Sequence, residues 1–99
     1  MDTYDDLEKC TGFEWDDGNQ GKNWERHEVF DTECEEVFFN DPLVAGADPR
    51  HSKRERRYFA LGRTDAGRAL FVAFTIRKDR IRVISARDMN NAELRKYTS

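Results

Sequence analysis

The chain has 99 residues, room for one domain with a modest core. Apolar and charged residues each make up 37% of it, and no apolar run approaches the ~18 residues that a membrane-spanning helix needs. The net charge of −3 hides an asymmetry: residues 1–49 carry three Lys/Arg against fifteen Asp/Glu (−12), and residues 50–99 carry fourteen against five (+9).

A low apolar fraction raises the question of disorder, but twelve aromatics in patterned stretches can form a core. One folded domain over 1–99 is expected, with residues 1–10 frayed. The charge asymmetry has two readings. A basic face could meet polyanions beside an acidic one, or the two halves could fold together and neutralise each other. The acidic opening Met1-Asp-Thr-Tyr-Asp-Asp is unlike a signal-peptide start, so a cytoplasmic location is expected. Cys10 and Cys34 form no metal motif and read as free thiols.

In chain order, Phe13-Glu-Trp-Asp16 alternates apolar and acidic residues, as a short half-buried strand does. A loose helical pattern over Asp17–His27 puts Trp24 and His27 on one face. Thr32-Glu-Cys-Glu35 has capping-box form, with Thr32 as N-cap and Glu35 reaching back, and predicts a helix burying Cys34, Val37 and Phe38. Asn40-Asp41-Pro42 ends it, and residues 41–54 read as a loop. Strands follow at Tyr58–Leu61, at the nearly all-apolar Ala69–Ile76 and at Arg80–Arg87, the last two joined through Lys78-Asp79. In the last strand Ile81 and Val83 share one face, Arg80 and Arg82 the other. Asn90–Glu93 opens a final helix carrying Leu94 and Tyr97. The expected class is α+β, an antiparallel sheet with packed helices in the order β-α-α-β-β-β-α.

No metal, dinucleotide or P-loop motif is present, and neither a metal nor another cofactor is expected. What remains is an arginine set on or beside the proposed strands: Arg54, Arg56, Arg57, Arg63, Arg68, Arg77, Arg80, Arg82 and Arg87. The guanidinium matches phosphate geometry and stays charged, so a ladder of them could hold an RNA backbone and stabilise charge on a scissile phosphate. A solvated sheet face is the bland alternative. RNA cleavage through the 2′-hydroxyl also needs a proton acceptor and a proton donor, and histidine suits either role. His27 follows a predicted helix, whose end it could simply cap. His51 lies in the basic loop beside Arg50 and Lys53, where it could equally be idle. Tyr97 could stack on a base or sit at the core edge.

Several segments together resemble the BrnT family of bacterial toxin ribonucleases. They are Phe13-Glu-Trp-Asp16, Asn23, Arg26-His27, Val29, Glu36-Val-Phe38 and Asp41-Pro42, followed by Arg57, Ala60-Leu-Gly62, Phe74-Thr75, Arg77, Ile81-Arg-Val-Ile-Ser-Ala-Arg87, Glu93 and Tyr97. The resemblance implies a compact RelE-like fold and a ribonuclease that inhibits translation. It also implies a ribbon-helix-helix antitoxin partner, BrnA, with promoter DNA reached only through that antitoxin. Carried over by position, His27, Arg57, Arg82 and Arg87 would be catalytic, and Arg63, Arg77, Arg80 and Tyr97 would contact RNA. The chain departs from the family pattern at Asn19, Glu28 and Met89, where lysine, glycine and alanine are usual. The competing expectation is a non-catalytic module of the same fold that binds a protein or nucleic acid.

Overall fold

The computed structural model describes residues 2–99. Asp2 accepts the Tyr4 N–H at 2.8 Å and starts helix α1, Thr3–Glu8, where the sequence shows no element. Six residues are too few to display a helical period. Tertiary contacts hold the helix instead, with the Tyr4 hydroxyl accepting the Ala45 N–H at 2.9 Å and Tyr58 donating to Asp6 at 3.0 Å. Strand β1, Gly12–Phe13, is shorter than the expected strand at 13–16, yet the alternation holds. Phe13 and Trp15 pack against the core, while Glu14 and Asp16 point to arginines on the other side of the sheet.

Helix α2 spans Lys22–His27 and α3 spans Asp31–Val37. The expected N-cap at Thr32 is corrected. The helix starts earlier, after Phe30, whose N–H donates to Glu33 at 2.9 Å. Glu35 instead accepts the Trp15 indole N–H at 2.7 Å. The predicted stripe is right, with Cys34 and Val37 fully buried and Phe38 packed against the core.

The expected loop over 41–54 contains strand β2, Val44–Ala47, and a 3₁₀ turn, Pro49–His51. Val-Ala-Gly-Ala lacks the bulky β-branched or aromatic run that marks a strand. Its small residues serve packing, because a Cβ on Gly46 would meet the Phe59 ring at 2.9 Å. Strands β3 (Tyr58–Arg63), β4 (Ala69–Arg77) and β5 (Arg80–Asp88) follow, then helix α4 (Asn91–Thr98). Lys78 and Asp79, at φ 51° and 60°, make a two-residue hairpin with both residues left-handed, the turn that matches strand twist. Asn90 and Glu93 cap α4 reciprocally at 2.8 and 2.9 Å.

The five strands lie in the order β1-β5-β4-β3-β2. The expected all-antiparallel sheet is corrected to a mixed one, since β1 runs parallel to β5 through Gly12↔Arg80 and Phe13↔Ile81. The expected element order changes as well, with α1 placed first and β2 inserted before β3. Beyond Phe13 the edge of β5 is satisfied by side chains. Asn19 donates to the Val83 carbonyl at 3.1 Å, and Asn23 accepts the Ala86 N–H at 2.9 Å. A bulge between Ala73 and Phe74 absorbs one residue of β5.

One face of the sheet builds the core. Leu70, Val72, Phe74, Ala60, Val83 and Ala86 pack beneath α2 and α3 with Val29, Cys34 and Val37. Each fully buried large aliphatic or aromatic side chain contributes about 1.5–3 kcal/mol. The α3 helix approaches closely because β3 offers Gly62, where a Cβ would come within 2.8 Å of Val37. The opposite face is only partly covered, by α4 at one end, and it carries the arginines.

Candidate nucleic-acid interface

Alternation places the second-face residues in rows across β3, β4 and β5. The registers give Arg77 beside Arg80, Thr75 beside Arg82, then Phe59–Ala73–Ser85, Leu61–Phe71–Arg87 and Arg63–Ala69. Arg57 precedes β3 by one residue and continues its alternation next to Thr75, because Tyr58 is turned into the core against Phe74. Arg57, Thr75 and Arg82 therefore form one row. Arg57, Arg77 and Arg82 together lower the pKa of Glu55, after the direct hydrogen bond from Arg77, which is the main cause.

Three of these six arginines already hold carboxylates. Arg82 bonds Glu14 at 2.8 Å and both oxygens of Asp16 at 2.8 and 3.0 Å, and its side chain is only 14% exposed. The Arg82 hydrogen bond is the chief reason that the Asp16 carboxyl lies below the usual range. Arg77 grips Glu55 through two bonds of 3.0 and 2.8 Å. Arg87 makes a fork to Glu93 at 2.7 and 2.9 Å and lies over the Phe71 ring, 4.4 Å from its centroid. Of the two readings of the charge asymmetry, mutual neutralisation accounts for much of it: Asp6, Glu14, Asp16 and Glu33 from the acidic half pair with Arg56, Arg77, Arg82 and Arg68 of the basic half.

Arg57 differs. Among the described residues no carboxylate lies within 4 Å of its guanidinium, and its buried Nε has no hydrogen-bond partner. It lines an open cavity of about 600 Å³ with Arg50, His51, Lys53, Arg54 and Glu55. Arg80 is exposed. Arg63 donates to the Gly67 carbonyl at 3.1 Å and stacks over Tyr97. Tyr97 is buried and its hydroxyl donates to the Pro42 carbonyl at 2.6 Å, so it anchors α4 with no hydroxyl proton to spare.

His27 sits apart from Arg57 and Arg82. It ends α2, exposed, and its carbonyl accepts from Arg68 at 3.3 Å. It lies near enough to Asp88 to help lower that carboxyl, although the Arg68 hydrogen bond is the larger cause. Asp88 points to the core side of β5, whereas Arg87 points to the arginine face. Arg82 is five residues back along that strand, about 16 Å at ~3.3 Å per residue. The predicted catalytic residues thus divide, with Arg57 and Arg82 at one end of the face, Arg87 at the other, and His27 beside Asp88 on the opposite side of the sheet. Glu28, where the family usually has glycine, adopts the left-handed conformation at φ 55°.

Sequence reasoning missed three features of this face. Phe59 and Phe71 stack in parallel, with centroids 6.4 Å apart, and are capped by Lys96 and Arg87. The pair is visible only once the register is known. The counter-ions Glu14 and Asp16, Glu55 and Glu93 come from three distant segments. The third is Asp48, whose Oδ2 lies 2.8 Å from His51 Nδ1; a spacing of three across a proline is its only trace in the sequence.

The arrangement is an open sheet face with guanidinium groups in rows, an aromatic platform beside them and a basic cavity at one end. Such a face suits phosphate contact and base stacking. A comparison with curated proteins finds no match. A family model does match residues 15–93, and its description is the ribonuclease toxin, BrnT, of type II toxin-antitoxin systems. The match spans α2, α3, strands β2 to β5 and the start of α4, and by it the chain belongs to the BrnT family of ribonuclease toxins.

Proposed function

We propose that this chain is the toxin of a type II pair in the cytoplasm, a RelE-like, metal-independent endoribonuclease that cleaves RNA and inhibits translation. Its partner is a BrnA-like ribbon-helix-helix antitoxin, which also supplies any contact to promoter DNA. Within the family frame, the row Arg57–Thr75–Arg82 carries the reading. It places Arg57 and Arg82 on either side of Thr75 at one end of the face, in the row next to the Phe59–Phe71 platform. A phosphate on that row would displace Glu14 and Asp16 from Arg82, and the two guanidiniums would take up the negative charge that grows on phosphorus. Arg63, Arg77, Arg80 and Arg87 extend backbone contact along the face. Tyr97 contributes by holding the Arg63 end of the platform.

A second reading is favoured by one observation, that Arg77, Arg82 and Arg87 are each matched by carboxylates of the same chain. A module of this fold that binds a partner and cuts nothing would look the same. Purified protein incubated with single-stranded RNA separates the two. Cleavage that falls in Arg57→Ala, Arg82→Ala and Arg87→Ala variants of unchanged fold supports the nuclease, and cleavage undiminished in all three refutes the arginine face. RNA binding should weaken steeply with salt, as phosphate contact requires. Growth arrest on induction without the antitoxin, and co-purification with it from the native operon, test the pair.

A further inference from the structure

In the structure the proton-transfer role has a better-placed occupant than His27. We infer that His51, oriented by Asp48, is the catalytic general base for RNA cleavage, and that the basic cavity it lines binds an RNA backbone phosphate. This rests on the ribonuclease reading above.

The loop is built rather than loose. The Asp48 N–H donates to the Arg57 carbonyl at 2.8 Å, and the Ser52 hydroxyl donates to the Asp48 carbonyl at 2.7 Å. That same hydroxyl accepts the Arg57 N–H at 2.9 Å. Asp48, Ser52 and Arg57 are therefore tied to one another, and the 3₁₀ turn after Asp48 carries His51. The Asp48 carboxylate can only accept, so the proton of a neutral His51 ring sits on Nδ1, which lies 2.8 Å away. That leaves Nε2 as the acceptor, with no bond to it among the described residues. The side chain is 71% exposed, so Nε2 can reach a substrate. A carboxylate behind a histidine fixes its orientation and stabilises the imidazolium that forms on proton uptake.

The surroundings suit a polyanion. Arg50, Lys53, Arg54 and Arg57 line the cavity with no carboxylate paired to them among the described residues. Glu55, the one acid in the lining, has both oxygens occupied by Arg77. The volume of about 600 Å³ lies within the ~300–1,000 Å³ typical of small-ligand sites. Arg57 belongs to both the cavity and the row with Thr75 and Arg82, so the cavity and the arginine face adjoin there. His27, beside Arg68 and Asp88 at the far end of β5, has no such neighbours.

In the reaction, Nε2 takes the proton of the 2′-hydroxyl while that oxygen bonds to phosphorus and the P–O5′ bond breaks. The imidazolium then returns the proton to the departing 5′-oxygen, directly or through water, leaving a 2′,3′-cyclic phosphate and a 5′-hydroxyl. Asp48 is a positioning residue.

The test uses the full chain and a single-stranded RNA oligonucleotide of mixed sequence, with cleavage measured under single-turnover conditions and RNA affinity measured separately. His51→Ala and His51→Gln should lose about 10²- to 10⁴-fold in rate with little change in affinity. Added imidazole should restore part of the His51→Ala rate. Asp48→Asn should slow cleavage without weakening binding, and Asp48→Glu should recover part of it. Lys53→Ala with Arg54→Ala should weaken RNA binding and flatten its salt dependence. An active parent whose His51 variants cut at full rate overturns this inference and leaves the nuclease reading standing. A folded parent that cuts no RNA overturns both.

Discussion

Asn19 stands where the family usually has lysine, and the structure makes it a staple. It is 5% exposed, and its side chain makes three hydrogen bonds. Nδ2 donates to the carbonyls of Glu14 at 3.0 Å and Val83 at 3.1 Å, and Oδ1 accepts the Asp16 N–H at 2.8 Å. These bonds fix the turn after β1 to the edge of β5, and that turn presents Asp16 to Arg82. Asn19→Ala removes all three. At a net ~0.5–1.5 kcal/mol per bond the loss is about 3 kcal/mol, lower where water enters and higher where the carbonyls stay dry. For a domain of this size that is a fall in melting temperature of roughly 12–24 °C. Urea unfolding followed by circular dichroism measures it, and at a slope of ~1–2 kcal/mol/M the midpoint falls by about 1.5–3 M. Asn19→Asp keeps the acceptor but aims a carboxylate at two carbonyls, so it should be at least as damaging. A loss below about 1 kcal/mol in Asn19→Ala would show that the three bonds contribute no more than water does. An aspartate variant milder than the alanine would refute the role given to the two carbonyls.

Acid should loosen the arginine face. Glu93, Asp88 and Glu55 are held below the usual carboxylate range first by their bonds to Arg87, Arg68 and Arg77. Their contribution is therefore present above the unfolded value of ~4 and is lost as pH falls through the depressed ones, so the melting temperature should drop below about pH 4, and less so in Glu93→Gln. The Cys34 thiol is pushed up to about 12, first by burial and then by Asp31, so it should resist a thiol reagent at pH 8 until the protein unfolds. Equal labelling of Cys34 in folded and unfolded protein would contradict that burial. Arg87→Lys keeps the charge but loses both the fork to Glu93 and the planar stack on Phe71, so it should weaken RNA binding nearly as much as Arg87→Ala. Binding at the parent level in the lysine variant would reduce Arg87 to a simple charge.

Much of the fold is legible because its signals are local. The apolar run Ala69–Ile76 marks a covered strand, and the alternation of Ile81 and Val83 with Arg80 and Arg82 assigns faces before any partner is known. Lys78-Asp79 marks the hairpin, and Asn90 with Glu93 marks the final helix start. Family membership is legible as well, since the ordered segments between Phe13 and Tyr97 agree with the family match over 15–93.

Tertiary structure decided the rest, because the determining contacts join residues far apart in the chain. β1 takes the edge of β5 that β4 leaves free, and nothing within Gly12–Phe13 specifies that it runs parallel there. Strand β2 exists because Gly46 admits the Phe59 ring, and α1 because Tyr4 and Asp6 reach β2 and β3. The charge asymmetry, visible as two bulk numbers, becomes specific pairs only when Glu14 and Asp16 fold over Arg82, some 66–68 residues away in sequence. The same long-range packing separates His27 from Arg57 and Arg82 and brings the Asp48–His51 turn to their end of the face. Residue type and spacing identify groups able to do the chemistry; which of them share a site is set by strand register and by the turn of a loop.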